Sequence, residues 1–169
     1  MSEQQAANRK LYISDWHYGH NNILAFDNRP FKTVEEMNAT LVERWNAAVH
    51  PGDTVYVLGD MFWCNMQEAI SVLNQLNGQV FLIKGNHDTL KLGQYQKYFK
   101  DVRAYWILDK FILSHIPIHP ESLSRWKANI HGHLHGNSLN DPRYKNVSVE
   151  VVNYTPLDFE EIRSSYEMV

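Results

Sequence analysis

The sequence predicts a mixed α/β sandwich that forms one domain over residues 1–169. In the first half of the chain, short apolar runs alternate with segments of helical periodicity, which favours parallel strands joined by right-handed crossovers. The second half instead contains apolar runs spaced as in hairpins. A length of 169 residues suits one substantial core, and no repeat, low-complexity tract or linker divides the sequence.

The first half predicts three strands and two helices in alternation. A capping box, Thr33-Val34-Glu35-Glu36, precedes apolar residues spaced three and four apart, so it begins a helix, and Pro51-Gly52 ends that helix. A second helix is expected over Gln67–Leu76, with Asn77-Gly78 as its C-terminal cap. The three strands are expected at Lys10–Ser14, Thr54–Leu58 and Val80–Ile83.

The second half predicts a hairpin, one further strand and a closing helix. The hairpin runs from Val102 to Leu108, turns at Asp109-Lys110 and returns from Phe111 to Ser114. Asn146–Val152 alternates weakly between apolar and polar residues and predicts another strand. The pattern of Pro156–Tyr166 suits a helix that closes the domain.

Composition and charge argue against several classes of protein. The net charge of −3 gives no polycationic surface for nucleic acid. A single cysteine, Cys64, excludes an intramolecular disulfide framework and fits a reducing compartment. No apolar stretch approaches the roughly 20 residues of a membrane span, and Met1–Lys10 is polar and unlike a signal peptide. We therefore expect a cytoplasmic protein that does not contact a membrane.

Polar residues lie at five expected strand ends, the last of them in the extended segment that carries three histidines. Ligands of α/β folds bind beyond the carboxyl ends of strands, so these side chains are expected to converge. Each group alone is also typical of an ordinary turn or of a structural histidine, because Asp, Asn and Gly favour turns. Five such groups in one chain are harder to explain as turns. They are Asp15 with His17, Asp60, Asn86 with His87, His115, and His133 with His135.

The segment Ile130–Gly136 places three histidines at alternate positions between two glycines. On an extended segment, alternate side chains point the same way, so His131, His133 and His135 would converge. Imidazoles gathered in this way are typical of a metal site, since burying them unpaired is costly. Imidazole alone does not identify the metal.

In sequence order, these motifs resemble those of the calcineurin-like metallophosphoesterase family. The resemblance spans residues 15 to 135 and implies a four-layer α-β-β-α sandwich with mixed β-sheets and two metal ions at the strand ends. Carried over residue by residue, it gives Asp15, His17 and His135 to the first metal, Asn86, His115 and His133 to the second, Asp60 to both and His87 to catalysis.

The resemblance also changes the interpretation of the histidine run. His133 and His135 would serve different metals, which requires the chain to bend between them rather than form a flat strand. His131 falls outside the family's ligand pattern and is left out of the ligand set. Asp88, which follows the catalytic histidine, is expected to orient it.

The donor set and the implied chemistry agree. Carboxylate, amide and imidazole donors without a thiolate suit two divalent ions, Mn first and otherwise Fe, Ni or Zn, and no other cofactor is expected. A hydroxide bridging the two metals would attack phosphorus directly. His87 would protonate the departing oxygen, so the implied activity is phosphoester hydrolysis without a covalent intermediate.

One departure from the family narrows the expected substrate. In the protein-phosphatase branch, the motif resembling Gly59-Asp60 continues with a further Asp and an Arg, whereas here Met61-Phe62-Trp63-Cys64 follows. This disfavours a protein phosphatase and makes the small phosphodiesterases of the family the nearer match. We therefore expect a small phosphodiester, such as a nucleotide, rather than a monoester. Met61, Phe62 and Trp63 could form an apolar wall for a nucleobase or belong to the core.

Other interpretations stay open at this point. His20 and Arg29 lie just beyond the first strand end and suit either substrate contacts or a local cap and an ion pair. A nuclease on single-stranded nucleic acid would share the chemistry, but it needs a cationic track that the sequence does not display. A catalytically silent scaffold of the same fold is another alternative, although such relatives usually lack the histidine kept here as His87. The sequence does not indicate an oligomeric state.

Overall fold

The computed structural model describes residues 8–167 and consists of two β-sheets packed face to face, with helices outside. In chain order its elements are β1 (Lys10–Ile13), α1 (Ile23–Phe26), α2 (Val34–Ala48), β2 (Thr54–Val57), α3 (Met66–Leu73), β3 (Gln79–Ile83), α4 (Leu92–Tyr95), β4 (Asp101–Arg103), β5 (Tyr105–Leu108), β6 (Phe111–Ser114), a 3₁₀ helix (Pro120–Leu123), β7 (Ala128–His131), β8 (Tyr144–Asn146), β9 (Leu157–Asp158) and α5 (Phe159–Glu167). The α/β sandwich with mixed sheets predicted from the sequence is confirmed.

Both sheets contain parallel and antiparallel pairs. The first has the strand order β4-β3-β2-β1-β9, and only β9 runs antiparallel to its neighbour. The second has the order β5-β6-β7-β8, with an antiparallel β5–β6 hairpin and parallel pairs elsewhere. In the parallel registers, Ile13 lies opposite Val57 and Val57 opposite Leu82. The carboxyl ends of β1, β2 and β3 therefore meet at one edge.

Two apolar clusters hold the layers together. One lies between the first sheet and the helices α2 and α3, where Met37, Leu41 and Trp45 of α2 are fully buried. These are the residues whose three- and four-residue spacing predicted the helix. The other lies between the sheets, where Tyr12 of β1 and Phe111 of β6 both pack against Phe159 of α5.

An irregular segment after β6 covers the outer face of the second sheet. Asn129 alternates along β7 with two residues of the inner cluster, so its side chain faces outward, where its Oδ1 accepts a hydrogen bond from the Ile118 N–H at 3.0 Å. Tyr144 of β8 donates from its hydroxyl to the Ile118 carbonyl at 2.6 Å. These two bonds hold the segment against the outward face of β7 and β8.

The predicted strand Val102–Leu108 is wrong in one respect, because it contains two strands that belong to different sheets. β4 extends the first sheet beside β3, whereas β5 pairs with β6 in the second. The chain changes sheets at Ala104, and no Gly, Pro, Asn or Asp between Val102 and Leu108 marks the change in the sequence. The predicted turn at Asp109-Lys110 is present, with positive φ values of 48° and 68°.

Other boundaries also differ from those expected. The strand predicted over Asn146–Val152 stops at Asn146, because the N–H groups of Val151 and Val152 bond to the Ser148 carbonyl and close a turn. Asn77-Gly78 does not cap α3, which ends at Leu73; instead the Trp45 indole N–H donates to the Asn77 carbonyl at 2.9 Å. The short helices α1 and α4 were not expected, since one turn carries too little periodicity to detect.

The expectations about the chain ends concern mainly residues outside the range that the structure describes. Most of Met1–Lys10 falls outside the described residues, and the single domain over residues 1–169 stays a prediction. Among residues 8–167, no helix has the length and apolar character needed to cross a membrane.

Candidate metal centre

The polar residues expected at five strand ends lie together in the structure. They occupy the loops that follow β1, β2, β3, β6 and β7, where the two sheets meet. Backbone hydrogen bonds join these loops, from the Asp15 N–H to the Gly59 carbonyl and from the Gly132 N–H to the His115 carbonyl, each at 3.0 Å. The expected residues fall into two groups that share Asp60.

The first group contains Asp15, His17, His135 and one oxygen of Asp60. His135 Nε2 lies 3.8 Å from Asp15 Oδ1, and His17 Nε2 lies 3.8 Å from Asp60 Oδ2. Within residues 8–167, Asp15 Oδ1 and His17 Nε2 are buried and have no hydrogen-bond partner. Buried polar atoms are almost always paired, so these two atoms are placed for a ligand that the protein itself does not supply.

The second group contains Asn86, His115, His133 and the same oxygen of Asp60. His115 Nε2 lies 3.3 Å from Asp60 Oδ2 and 2.8 Å from Asn86 Oδ1, and His133 Nδ1 lies 3.0 Å from that amide oxygen. The other ring nitrogen of His115, Nδ1, lies 2.7 Å from the Leu58 carbonyl. A carbonyl only accepts, so His115 Nδ1 carries the hydrogen and Nε2 is left as an acceptor.

With His115 and His135 neutral, both groups bring together atoms that accept hydrogen bonds and cannot bond one another. In neutral His115, the Nε2 lone pair faces two oxygens, and in neutral His135 it faces the Asp15 carboxylate. Either a proton on Nε2 or a cation between these atoms would pair them. Asp15, His17 and His135 can gather around one ion, as can Asp15, Asp60 and His115. The donors present thus fit divalent metals.

Backbone conformation at this edge is unusual. Five of the expected residues have positive φ, in the left-handed region that side chains with a Cβ rarely adopt: Asp15 at 58°, His17 at 49°, Asp60 at 54°, His133 at 68° and His135 at 50°. Each costs of order 1–3 kcal/mol and persists only where the surroundings impose it. These conformations cluster at functional sites, which supports a role for the loops beyond connection.

The histidine run bends as expected. β7 ends at His131, and the Leu134 N–H bonds to the Gly132 carbonyl at 2.8 Å, which turns the chain between the next two histidines. His133 and His135 consequently enter different groups. His131 stays in the strand, is buried, and packs edge-on against Tyr144 with ring centroids 5.9 Å apart.

His135 is oriented by carboxylates that the sequence did not single out. Its Nδ1 lies 3.1 Å from Glu150 Oε1 and 3.2 Å from Asp27 Oδ2, which leaves Nε2 to face Asp15. Carboxylates commonly fix the tautomer and ring angle of a metal-binding histidine in this way. Glu150 lies in the turn after β8 and outside every strand-end motif, so no local signal could have identified it.

Arg29 holds this carboxylate through contacts within the protein. Its guanidinium is buried, contacts Glu150 Oε1 at 2.7 Å, and donates to the carbonyls of Asp15 at 2.7 Å and Trp16 at 2.8 Å. The sequence left either a substrate contact or an ion pair open for Arg29, and the structure contains the ion pair. His20 likewise caps locally, since its Nδ1 accepts from the Ile23 N–H at 2.8 Å.

Asp88 holds the loops of the centre in place and does not orient His87. Its buried carboxylate accepts hydrogen bonds from the N–H groups of Gly85 at 2.8 Å, Asp60 at 2.9 Å and Met61 at 3.3 Å. The expectation that Asp88 orients His87 has no contact to support it in the described residues. The His87 N–H itself donates to Asp60 Oδ1 at 2.8 Å, leaving Oδ2 of Asp60 toward the two groups.

Burial and neighbouring charges set the protonation of this centre. Burial lowers the pKa of His17 to about 3, so its ring is neutral, which is the form that binds metals. Burial would raise the pKa of Asp60, but the hydrogen bond and charge of His115 outweigh it and the pKa is lowered. For His135, burial acts to lower the pKa, and the hydrogen bond to Glu150 raises it overall.

His87 and Trp63 lie beside the two groups at the protein surface. His87 is exposed, and its ring centroid lies 5.6 Å from that of His17 and 5.1 Å from that of Trp63. Met61 is fully buried, and Phe62 packs against the core near Tyr18. Of the three residues that could form a wall or belong to the core, only Trp63 is thus open to solvent.

Comparison with known proteins gives relatives along nearly the whole chain. The chain is 42% identical over 164 residues to the uncharacterized protein MJ1445 of Methanocaldococcus jannaschii, an alignment that covers 91% of this chain and 89% of that protein. It is 34% identical over 100 residues to the Gene 66 protein of Mycobacterium phage L5, covering 57% of this chain and 47% of the phage protein.

A solved structure supports the same fold. The crystal structure of AQ665, a protein of unknown function from Aquifex aeolicus, superposes with a TM-score of 0.76 at 27% identity, covering 93% of this chain and 98% of that one. A family model described as calcineurin-like phosphoesterase matches residues 9–166, a span that contains every residue of both groups. The chain therefore belongs to the calcineurin-like phosphoesterase family.

Proposed function

We propose that this metal-dependent phosphoesterase hydrolyses phosphodiesters, using two divalent ions, with Mn as the expected metal. The observation that carries the proposal is the sharing of Asp60 Oδ2 by two groups of acceptor atoms, since two ions that act together need a bridging carboxylate. The residues that would hold the ions are Asp15, His17 and His135 for the first, Asn86, His115 and His133 for the second, and Asp60 for both.

The metals and the protein would have separate tasks. Divalent ions held here supply Lewis acidity: they lower the pKa of water and offset negative charge on phosphoryl oxygens. The protein keeps the donors in place through the Asp88 carboxylate, which binds three N–H groups of the loops, and through Glu150, which orients His135. Donors fixed beforehand do not have to reorganise during the reaction.

His87 is proposed as the general acid that protonates the departing oxygen. Its backbone is tied to Asp60 Oδ1, while its imidazole is exposed beside Trp63 and within 5.6 Å of the His17 ring. It can therefore reach a group bound at the metals without being a ligand itself. General-acid assistance of this kind typically contributes about 10²–10⁴-fold in rate.

The preference for diesters and the cellular setting belong to the proposal as well. Asp60 is followed by apolar residues where the protein phosphatases of the family carry a further acid and an arginine, which supports a small diester over a phosphoprotein. The single cysteine, Cys64, is free and fits a reducing compartment, so we propose a cytoplasmic location.

The test is turnover of bis(p-nitrophenyl) phosphate by the protein supplied with Mn²⁺, compared with p-nitrophenyl phosphate as a monoester. His87→Ala should slow diester hydrolysis by roughly 10²–10⁴-fold while bound metal, measured by elemental analysis, stays near two ions per chain. His50→Ala is the matched control, because His50 is exposed at the opposite, amino-terminal end of β2. It should leave both quantities unchanged.

Several results would contradict the proposal. A folded, metal-loaded protein that hydrolyses neither ester would instead favour a catalytically silent scaffold. Loss of metal from His87→Ala would mean that His87 acts as a ligand. Faster hydrolysis of the monoester would overturn the diester preference. Cleavage of single-stranded oligonucleotides at rates well above those for small diesters would favour a nuclease.

A further inference from the structure

Exposed aromatic rings border the candidate metal centre although metal binding does not use them. Phe26 at the end of α1 is 72% exposed, and Trp63 in the loop after β2 is 46% exposed. The ring of His20 lies between them, with centroids 6.2 Å from Phe26 and 4.2 Å from Trp63. Together, Phe26, His20 and Trp63 form what we call the aromatic rim. Clustered apolar rings left exposed at a site mark a contact surface.

The aromatic rim adjoins the groups that would surround the reacting phosphate. The centroid of Trp63 lies 5.1 Å from His87 and 6.2 Å from His17, and the His20 ring lies 5.8 Å from His17. A phosphoester bound at the metals would therefore bring one of its ester groups against the rim. The rim is too close to the centre to be an unrelated surface.

Trp63 is held in this position by its own contacts. Its backbone N–H donates to the Tyr18 carbonyl at 2.8 Å, and its ring meets the His20 ring edge-on at 77°. His20 is fixed in turn by the Ile23 N–H. Since Met61 and Phe62 already serve the core, the exposed ring of Trp63 is not required for packing there. A fixed, exposed ring loses little entropy when a ligand binds.

Charge near the rim argues against recognition of further phosphate groups. Arg29 is 4% exposed and is bound to Glu150 and two carbonyls, so it is not available to a substrate. A groove that borders Trp63 on its other side carries the carboxylates Glu35, Glu43 and Glu68. An extended polyanion would be repelled there, whereas an uncharged planar ring would not.

We infer that the aromatic rim stacks against a nucleobase carried by one ester group, so that the substrates are phosphoesters of nucleosides. This inference rests on the proposed function, because it requires the phosphate to sit at the metal centre. Every nucleobase has a π face, and its stacking on an aromatic side chain is worth about 1–3 kcal/mol, which corresponds to roughly 5- to 150-fold in affinity.

The test compares two phosphomonoesters that differ only in the base. Binding of AMP and of ribose 5-phosphate to the Mn²⁺-loaded protein is measured by isothermal titration calorimetry. In the wild type, AMP should bind at least fivefold more tightly. Trp63→Ala should remove most of this difference and leave the affinity for ribose 5-phosphate unchanged. Tyr105→Ala, which removes a 56% exposed ring from β5, is the control and should keep the difference.

The outcomes separate this inference from the proposed function. Equal affinity of the wild type for the two ligands, or an equal loss of both affinities in Trp63→Ala, would overturn the nucleobase site. Because Phe26 is largely exposed, Phe26→Ala provides a second variant that should fold normally and weaken AMP binding selectively. If base-dependent binding is observed but no ester is hydrolysed, the catalytic proposal fails while the binding site stands.

Discussion

At the scale of single residues, the most informative contact is the one between His135 and Glu150. A histidine that binds metal through Nε2 must keep its hydrogen on Nδ1, and Glu150 Oε1 lies 3.1 Å from that atom. Arg29 contacts the same Oε1 at 2.7 Å and fixes it in place. One buried carboxylate thereby links the turn after β8 to both His135 and the loop after β1.

We expect Glu150→Gln to weaken metal binding by roughly 10- to 100-fold, because an amide can still accept the Nδ1 hydrogen but no longer supports the ring with a negative charge. Competition with a chromophoric chelator measures this change without any enzymatic reaction. Glu160→Gln on α5, where Glu160 pairs only with exposed Arg163, is the control and should bind metal normally. An unchanged affinity in Glu150→Gln would show that the carboxylate does not support His135.

The sequence could indicate the site residues that follow a strand, but not those that reach the site through the packing of distant segments. Asp15, Asp60 and His115 could be recognised because each directly follows a buried apolar run, so their convergence followed from strand order. Glu150 and Asp27 reach His135 only through the packing of distant segments. Their role depends on tertiary contacts that no local pattern encodes.

At the scale of elements, backbone hydrogen bonds join the two sheets where the end of β1 meets the segment after β8. Ser14 donates its N–H to the Val147 carbonyl at 2.9 Å and accepts the Val149 N–H at 3.0 Å. Gly132 lies against this crossing: a Cβ there would come within 2.6 Å of the Ser14 Cβ and would also contact the Asp15 carboxylate. Glycine is therefore required at this position for space.

Gly132→Ala should destabilise the protein by about 1–3 kcal/mol, the usual cost of overpacking. For a domain of this size, this lowers the melting temperature by roughly 2–12 °C. Gly93→Ala in α4 is the control, since an added Cβ there meets no atom within 4 Å, and it should leave the melting temperature unchanged or slightly higher. Equal melting temperatures for the two variants would mean that the loops at Gly132 move to accept the added Cβ without loss of stability.

Elements with strong hydrophobic periodicity were predicted well. The point at which the chain passes from one sheet to the other was not. The helix α2 matches its predicted start, and Thr33 Oγ1 accepts the Glu36 N–H at 3.1 Å as its capping box requires. The change of sheet at Ala104 was missed because β4 and β5 form one uninterrupted run in the sequence. Pairing partners, rather than propensity, decide where such a run divides.

At the scale of the whole molecule, an ion pair at the opposite end of the first sheet anchors the start of β1. Asp53 is buried and accepts hydrogen bonds from the Arg9 side chain at 2.5 Å, the Arg9 N–H at 3.0 Å and the His50 N–H at 2.8 Å. Burial would raise the pKa of Asp53, but these bonds outweigh it and lower the pKa. The ionised carboxylate therefore stabilises the folded state.

Because the folded pKa of Asp53 is lowered, its contribution is complete above the unfolded value of about 3.9 and is lost as pH falls through the folded value. Asp53→Asn should cost about 2 kcal/mol at pH 7, and this deficit should shrink below roughly pH 4. Urea denaturation of both proteins at pH 7 and below about pH 4 measures this difference in the free energy of unfolding. Glu43→Gln on the exposed face of α2 is the control. A deficit of the same size at both pH values would contradict an ionic origin.

The fold class could be predicted from the alternation of strands and helices, which constrains parallel pairing and handedness. The place where the two sheets meet could not be predicted. It depends on the backbone bridge between Ser14 and Ser148, and these two serines belong to no sequence pattern that indicates pairing. The Ser148 hydroxyl also donates to Asp15 Oδ2 at 2.8 Å. The contact that joins the sheets is thus the one that positions the first carboxylate of the centre.

Because Arg29 is bound within the protein, it bears on the order in which metal and phosphoester bind. Asp15, Asp60 and Glu150 line the centre, and the guanidinium that reaches it is bound to Glu150 and backbone carbonyls. Without metals, this edge presents negative potential to an incoming phosphate and repels it. We therefore expect metal to bind before the phosphoester, so that the supply of metal would set the activity.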